Sequence, residues 1–234
     1  STIVGGAIPT LSQVQVSKFK IPLPPLPEQG AIAQVLSDTD ALITVLEKRI
    51  AKKRLIKQGA MQKLLTPQDD WEVKKLGDFL EYEQPTKYLV ADTKYNDNYD
   101  TPVLTAGKTF ILGRTNEKTG IYNNLPVIIF DDFTTASKFV EFPFKVKSSA
   151  MKILKPKNKN VNMKFVFEVM QRIDFPLGDH KRHWISEFQH LVILVPDEDE
   201  QTRIATILSD MDSEIDALGK KLAKTKQLKT GLMQ

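Results

Sequence analysis

Ile204, Leu208, Met211, Ile215, Leu218 and Leu222 follow one another at intervals of four, three, four, three and four residues. Alternation of four and three is the a/d seam of a coiled coil, because such positions stay on one line facing a partner helix. Ile32, Leu36, Ile43, Leu46 and Ile50 keep the same register, with Thr39 in one slot. Beyond Ile50 and Leu222 the seam meets Lys53 and Thr225, and the apolar pattern is expected to shift there. Each stretch follows prolines, Pro22, Pro24, Pro25 and Pro27 in one case and Pro196 in the other. Proline resists helix interiors, so the helices are expected to start near Glu28 and Asp199. Acidic residues sit at these starts, and lysines gather toward the far ends, from Lys48 to Lys57 and from Lys220 to Lys229. Both distributions complement the helix macrodipole. A helix of about 38 residues is roughly 57 Å long at 1.5 Å per residue, which suits a spacer better than an average core helix.

The two stretches are copies of each other. Glu28 aligns with Glu200, an offset of 172, and from there to Gln62 and Gln234 about half the positions are identical. A period that long indicates duplication of a module, not a solenoid. The first helix ends where a middle segment begins, and the second begins where that segment ends. Pairing the two helices therefore makes them antiparallel.

The middle segment, 67–196, has another texture. Pro67-Gln68-Asp69-Asp70 reads as a turn. Val103-Leu104, Pro126–Phe130, Lys138–Phe142, Phe144–Val146, Met151–Leu154 and His190–Val195 read as short strands, and Val161–Ile173 has helical spacing. The expected fold class is α+β: a globular mixed α/β domain on a long antiparallel two-helix coiled-coil stalk. Its parts are a lead-in at 1–26, a first helix at 27–66, the domain at 67–196 and a second helix at 197–234.

Composition excludes several chemistries. With no cysteine in 234 residues, disulfides, thiolate zinc sites, Fe–S clusters and cysteine nucleophiles are ruled out. There is no apolar run long enough to span a membrane, and Ser1 to Ala7 has no signal-peptide pattern, so a cytoplasmic protein is expected. There is no glycine-rich phosphate loop, no Gly-x-Ser-x-Gly elbow and no His-Glu-x-x-His. His180, His183 and His190 sit in a basic neighbourhood that repels a cation, so no metal site is expected. Asp131-Asp132 reads as a turn after a buried strand in preference to a metal pair.

Net charge is only +4, but the basic groups of the middle segment are clumped. One clump runs from Lys145 through Lys147, Lys152, Lys155 and Lys157 to Lys159. Another is His180-Lys181-Arg182-His183-Trp184, beside Gly178. A third is the glycine-bearing loop from Gly107-Lys108 to Gly120, with Arg114, Asn116 and Lys118. Lys and Arg interleaved with Asn, Thr and Trp suit phosphate contacts and base-edge hydrogen bonds. Lys108, Arg114, Asn116, Lys118, Lys181, Arg182 and His183 are the candidate DNA contacts. Glycines 107, 113 and 178 are expected to let the backbone approach a ligand closely.

The proline lead-in, Pro27-Glu28-Gln29 through Ile32-Ala33 to Leu36, the long basic helix, Lys63-Leu64-Leu65-Thr66, and Trp71 with Val73-Lys74-Lys75-Leu76-Gly77-Asp78 together resemble the specificity subunit of type I restriction–modification systems. The resemblance covers nearly the whole chain and rests most firmly on the duplicated helix. It implies a short form with one complete target recognition domain and two conserved helices, residues 1–20 being the end of a first recognition domain. It implies a non-catalytic, sequence-specific subunit that directs methyltransferase and restriction subunits to one half of a bipartite target in double-stranded DNA. S-adenosylmethionine, ATP and magnesium are then expected on partner subunits only, and two copies joined through the stalk, a homodimer, would restore two reading heads. The competing readings are a coiled-coil adaptor for proteins and a self-contained DNA methyltransferase or nuclease recognition module. The chain lacks an Asn/Asp-Pro-Pro-Tyr/Phe methylase motif, which counts against the last.

Overall fold

A computed structural model describes residues 17, 18, 20, 22–105, 109–175 and 183–233. Helix α1 spans Leu26–Leu64. Then come β1 (Glu72–Lys75), α2 (Leu76–Phe79), β2 (Leu80–Glu83), β3 (Thr101–Leu104), β4 (Ile111–Thr115), β5 (Val127–Asp131), β6 (Ser137–Val140), β7 (Lys145–Val146), β8 (Met151–Pro156), α3 (Met163–Met170), α4 (His183–Ser186), β9 (Val192–Val195) and α5 (Glu198–Leu232). No helix among the described residues is long and apolar enough to cross a membrane. Two compact units divide the chain. One holds residues up to Arg49 and from Leu218 onward, and the other holds Ile50–Ala217.

Both long helices start with the same cap. The Gln29 side chain donates to the Pro24 carbonyl at 2.7 Å, and Gln201, its repeat partner, donates to the Pro196 carbonyl at 2.9 Å. The Gln29 N–H reaches Pro25 O and the Gln201 N–H reaches Asp197 O, both at 3.0 Å. The prolines thus supply carbonyls at the mouth of each helix while being unable to extend it backward.

In the first unit, Leu46 is buried, and Leu36, Ile43, Leu218 and Leu222 are half-buried. Lys229 reaches Asp40 at 2.5 Å and Lys226 reaches Glu47 at 2.7 Å, which fixes an antiparallel pair. The seam does not shift where expected. Thr225 is buried in it, its hydroxyl bonded back to the Lys221 carbonyl at 2.9 Å. Ile32 departs from the expected seam and is 44 % exposed.

In the second unit, Ile50, Ile204 and Leu208 are buried, and Met211 and Ile215 are half-buried. Lys53 occupies the next seam position and pairs with Glu214 at 2.7 Å. Lys57 follows and pairs with Asp212 at 2.6 Å. Subtracting the repeat offset of 172 turns Asp212 into Asp40, and adding it turns Lys57 into Lys229, so one ion pair occurs twice. In this unit it is extended. Lys164 of α3 reaches Asp212 at 2.8 Å and Glu168 at 2.8 Å, and Lys57 reaches Glu168 at 3.2 Å. Glu168 is fully buried. Burial pushes the Asp212 carboxyl up, but hydrogen bonds from Lys164 and Lys57 outweigh it and hold the group below the usual carboxylate range.

The domain is organised around the sheet β2-β8-β5-β6. Strand β5, Val-Ile-Ile-Phe-Asp, is buried along its length because both of its faces are covered. Ile128 and Phe130 point into one core with Trp71, Phe165, Trp184 and Phe188, and Val127 and Ile129 point into a second with Leu104, Tyr122 and Phe144. The first core also takes in Ile204, Ala205 and Leu208 of α5, so the start of that helix belongs to the domain's interior. A second sheet, β4-β3-β7, carries the edge of interest. Strand β4 lies within a segment expected to be loop. Strands β1 and β2 were also not anticipated, and β1 pairs antiparallel with β9.

Candidate nucleic-acid interface

Arg114 is carried on β4 opposite Pro102 of β3. Its Nη1 donates to the Asp100 carbonyl at 2.7 Å, and its own carbonyl accepts from the Asn96 N–H at 3.1 Å. Among the described residues Lys108, Lys181 and Arg182 do not appear, so three of the expected contacts lie outside what the structure describes. Asn116 and Lys118 are exposed just beyond β4. Lys118 lies 3.9 Å from the Asp100 carboxylate, and both are largely open to solvent, so that pair holds weakly.

The segment after β4 is fixed from below. Lys145 is almost fully buried, pairs with Glu117 at 2.7 Å and donates to the Thr119 carbonyl at 2.8 Å. Glu117 also accepts the N–H groups of Ala91 and Asp92 at 2.9 and 3.1 Å. Burial raises the Glu117 carboxyl, yet the bonds from Lys145 and from these two amides bring it below the ordinary range. Gly120 closes the turn at φ +61°, and a Cβ there would lie 2.8 Å from the Lys87 carbonyl oxygen.

Three sequence expectations are corrected. His183 is only 2 % exposed, its ring edge-on to Phe175, so it is part of the interior instead of a surface contact. The Lys145–Lys159 run is not one basic patch. Lys145 is committed to Glu117, Lys152 is buried 3.5 Å from Asp132, and Lys155 faces Glu81 and Glu83 at 3.4 and 3.5 Å. Neighbours in sequence are dispersed because β-strand side chains alternate between faces. Gly113 makes room for the Tyr95 ring and not for a ligand, since a Cβ would sit 2.7 Å from Tyr95 Cβ. Asp131 and Asp132 serve the turn after β5. Asp131 accepts the Phe133 N–H at 2.9 Å, and Asp132 accepts the Trp184 N–H at 3.0 Å.

Two concave surfaces differ in charge. A cleft of about 660 Å³ beside β1 and the start of α5 has Asp70, Glu72, Asp78, Asp197 and Glu198 in its wall against a single basic residue, Lys74. That acidic lining repels a phosphate backbone. A hollow of about 510 Å³ beside β3 and β4 has Arg114 in its wall with Asp100, Asn123 and Phe142. Sequence reasoning found Arg114 but not Asn123 or Phe142. These two come from separate connections, and no local pattern joins them to Arg114.

The sequence profile described as the type I restriction modification DNA specificity domain matches residues 1–53 and 68–227. The chain belongs to this family. It is 50 % identical over 141 residues to the specificity subunit of the Escherichia coli type I restriction enzyme EcoR124I/EcoR124II, covering 58 % of this chain and 35 % of that protein. It is 37 % identical over 101 residues to the specificity subunit of the type I restriction enzyme MjaVIII of Methanocaldococcus jannaschii, covering 36 % of this chain and 24 % of that one. The specificity-domain chain thus spans about a third or less of the length of these relatives. The fold matches the crystal structure of a type I restriction–modification S subunit from M. genitalium with a TM-score of 0.70 and 18 % identity, covering 88 % of this chain and 60 % of that one. The HsdS subunit from Thermoanaerobacter tengcongensis matches with a TM-score of 0.51 and 15 % identity, covering all of this chain and 64 % of that one.

Proposed function

We propose that this chain recognises DNA sequence for a type I restriction–modification complex without itself catalysing a reaction. In this reading the middle domain reads one half of a bipartite target in double-stranded DNA. The paired helices set its distance from the other half and carry methyltransferase and, through them, restriction subunits. S-adenosylmethionine, ATP and magnesium belong to those partners, a second copy of the chain supplies a second reading head, and the assembly works in the cytoplasm. The observation that carries the reading is the duplicated helix, which repeats its Gln29/Gln201 cap and its Asp40–Lys229/Asp212–Lys57 ion pair around one recognition domain. A protein-binding coiled coil needs no such domain between its copies.

The test is methylome sequencing of cells that carry the methyltransferase subunit with and without this chain. Methylation at a defined motif only when the chain is present is expected. Methylation or cleavage of DNA by the purified chain alone would contradict the non-catalytic role. An unchanged methylome would contradict the recognition role.

A further inference from the structure

We infer that the hollow beside β3 and β4 reads a G·C base pair, with Arg114 donating to the guanine edge and the Asp100 carboxylate accepting from the cytosine amine. The inference rests on the DNA-recognition reading and assigns the chemistry of one site within it. Three observations support it.

The first is charge. A phosphate site gathers cations, whereas this hollow has one basic residue, Arg114, and one acidic residue, Asp100, in a wall that Ile111, Ile121 and Phe142 complete. A nearly neutral, partly apolar lining disfavours a phosphate and suits a base edge, which presents donors and acceptors together. In the major groove guanine offers two acceptors, O6 and N7, and its partner cytosine offers the N4 amine as a donor. Arg and Asp are the side chains that match this pair of demands.

The second is preorganisation. The hydrogen bond from Arg114 Nη1 to the Asp100 carbonyl fixes one edge of the guanidinium, and the described residues place no partner on its other nitrogens. A fork already held loses less side-chain entropy on binding. Among the described residues the Asp100 carboxylate has only the exposed Lys118 ammonium at 3.9 Å, so it too remains available as an acceptor.

The third is support. The Arg114 backbone is tied to Asn96, and the chain that follows is held by the Glu117–Lys145 pair and its bonds to Ala91, Asp92 and Thr119. Arg114 therefore sits on a strand with a buried polar anchor beneath the adjoining turn, and Asp100 sits at the bend that leads directly into β3.

The experiment uses the full chain assembled with its methyltransferase subunits and a pool of duplexes of randomised sequence. Bound duplexes are sequenced, and single-base variants of the selected motif are then titrated at several salt concentrations. Arg114→Ala, Arg114→Lys and Asp100→Asn are compared with the wild type. Arg114→Lys keeps the charge and loses the fork. Asp100→Asn keeps the carbonyl that holds Arg114. Thermal unfolding followed by tryptophan fluorescence confirms that each variant is folded.

Both Arg114 variants should lose about 5- to 100-fold in affinity for the motif and become indifferent at a single G·C position. Asp100→Asn should relax the same base pair. Undiminished selectivity at every position in folded Arg114 variants would overturn the inference. So would a uniform loss on all duplexes with a salt slope lower by about 0.9, which marks a phosphate contact. Loss of methyltransferase assembly with DNA selectivity intact would overturn it in favour of a protein partner. A wild-type complex that selects no motif would sink the DNA-recognition reading itself, and that result differs from all the others.

Discussion

Replacing Glu168 by Gln tests whether the ring of charges joining α1, α3 and α5 stabilises the second unit. The substitution keeps the shape and removes one of four alternating charges. Glu168 is fully buried, and the Lys57 and Lys164 side chains are 16 % and 15 % exposed, so water compensates little. Removing one partner of a buried pair costs about 3–5 kcal/mol. Both ammonium groups keep Asp212, which places the expected cost at the low end, about 3 kcal/mol. Asp40→Asn is the internal control. It removes a carboxylate from the repeated pair, but there the two side chains are 55 % and 28 % exposed, so at most about 1 kcal/mol is at stake.

Urea unfolding separates these outcomes. With a slope of about 2 kcal/mol per molar, the midpoint should fall by about 1.5 M for Glu168→Gln and by less than about 0.5 M for Asp40→Asn. The chain has two tryptophans, Trp71 and Trp184, both buried in the second unit, so their fluorescence reports that unit, while far-UV circular dichroism reports the helices. A Glu168→Gln midpoint no lower than that of Asp40→Asn would refute the argument that burial makes this ring strong. Combining Glu168→Gln with Lys164→Met closes a double-mutant cycle, and its coupling energy should be at least about 0.5 kcal/mol.

Leu46→Asp places a charge at a buried seam position and should cost about 3 kcal/mol or more, seen as lost helicity with tryptophan fluorescence still native, and, on the proposed function, as lost assembly with a methyltransferase subunit. Gly113→Ala drives a methyl into Tyr95 and should cost about 1–3 kcal/mol, a fall in Tm of about 2–12 °C for a chain of this size. Asp212 and Glu117 have folded-state pKa values below their ordinary ones. Their stabilisation is therefore complete above the ordinary carboxylate range near pH ~4 and is lost as pH falls through the lowered folded values. A urea series from neutral to acid pH should show that loss, and Glu117→Gln should make it shallower.

The long helices were legible because two signals agree, a four-three apolar interval and a second copy of it. Proline placed their starts to within two residues. Strands β5 and β8 were legible as apolar runs. Strands β1 and β2, Glu-Val-Lys-Lys and Leu-Glu-Tyr-Glu, were not, because four residues with mixed exposure carry too little alternation to stand out. Strand β4 is hidden in the sequence by Gly113, which signals a loop although it reflects contact with Tyr95. Clustering of lysines in sequence misled for a related reason. Lys145 and Lys152 lie on strands that turn them inward toward carboxylates from other segments, Glu117 and Asp132. Such pairings are long-range, and only the fold brings them together. The same holds for the hollow, whose Arg114 was visible alone.

The repeated helix permits one more comparison, since two copies of one helix, identical at about half their positions, stand in two environments. In α5, Ile204, Ala205 and Leu208 are buried in the core of the recognition domain at 0 %, 5 % and 0 % exposure. Their counterparts in α1 are Ile32, which is 44 % exposed, Ala33, which is exposed, and Leu36, which is half-buried. The Gln cap is shared and the three compared side chains are the same, so burial is the largest difference between the two segments. Fully burying an Ile or Leu side chain is worth about 1.5–3 kcal/mol, and since Ile32 and Leu36 are already partly covered, the two residues together give α5 an advantage of about 1–2 kcal/mol. Amide hydrogen exchange in the isolated chain should therefore be about 5- to 30-fold faster at 32–36 than at 204–208, since each 1.4 kcal/mol of protection is tenfold. Equal protection of the two segments would mean that the first repeat is covered in solution by something that buries Ile32 as the recognition domain buries Ile204. Adding protein at rising concentration would then show whether a second copy of the chain provides that cover.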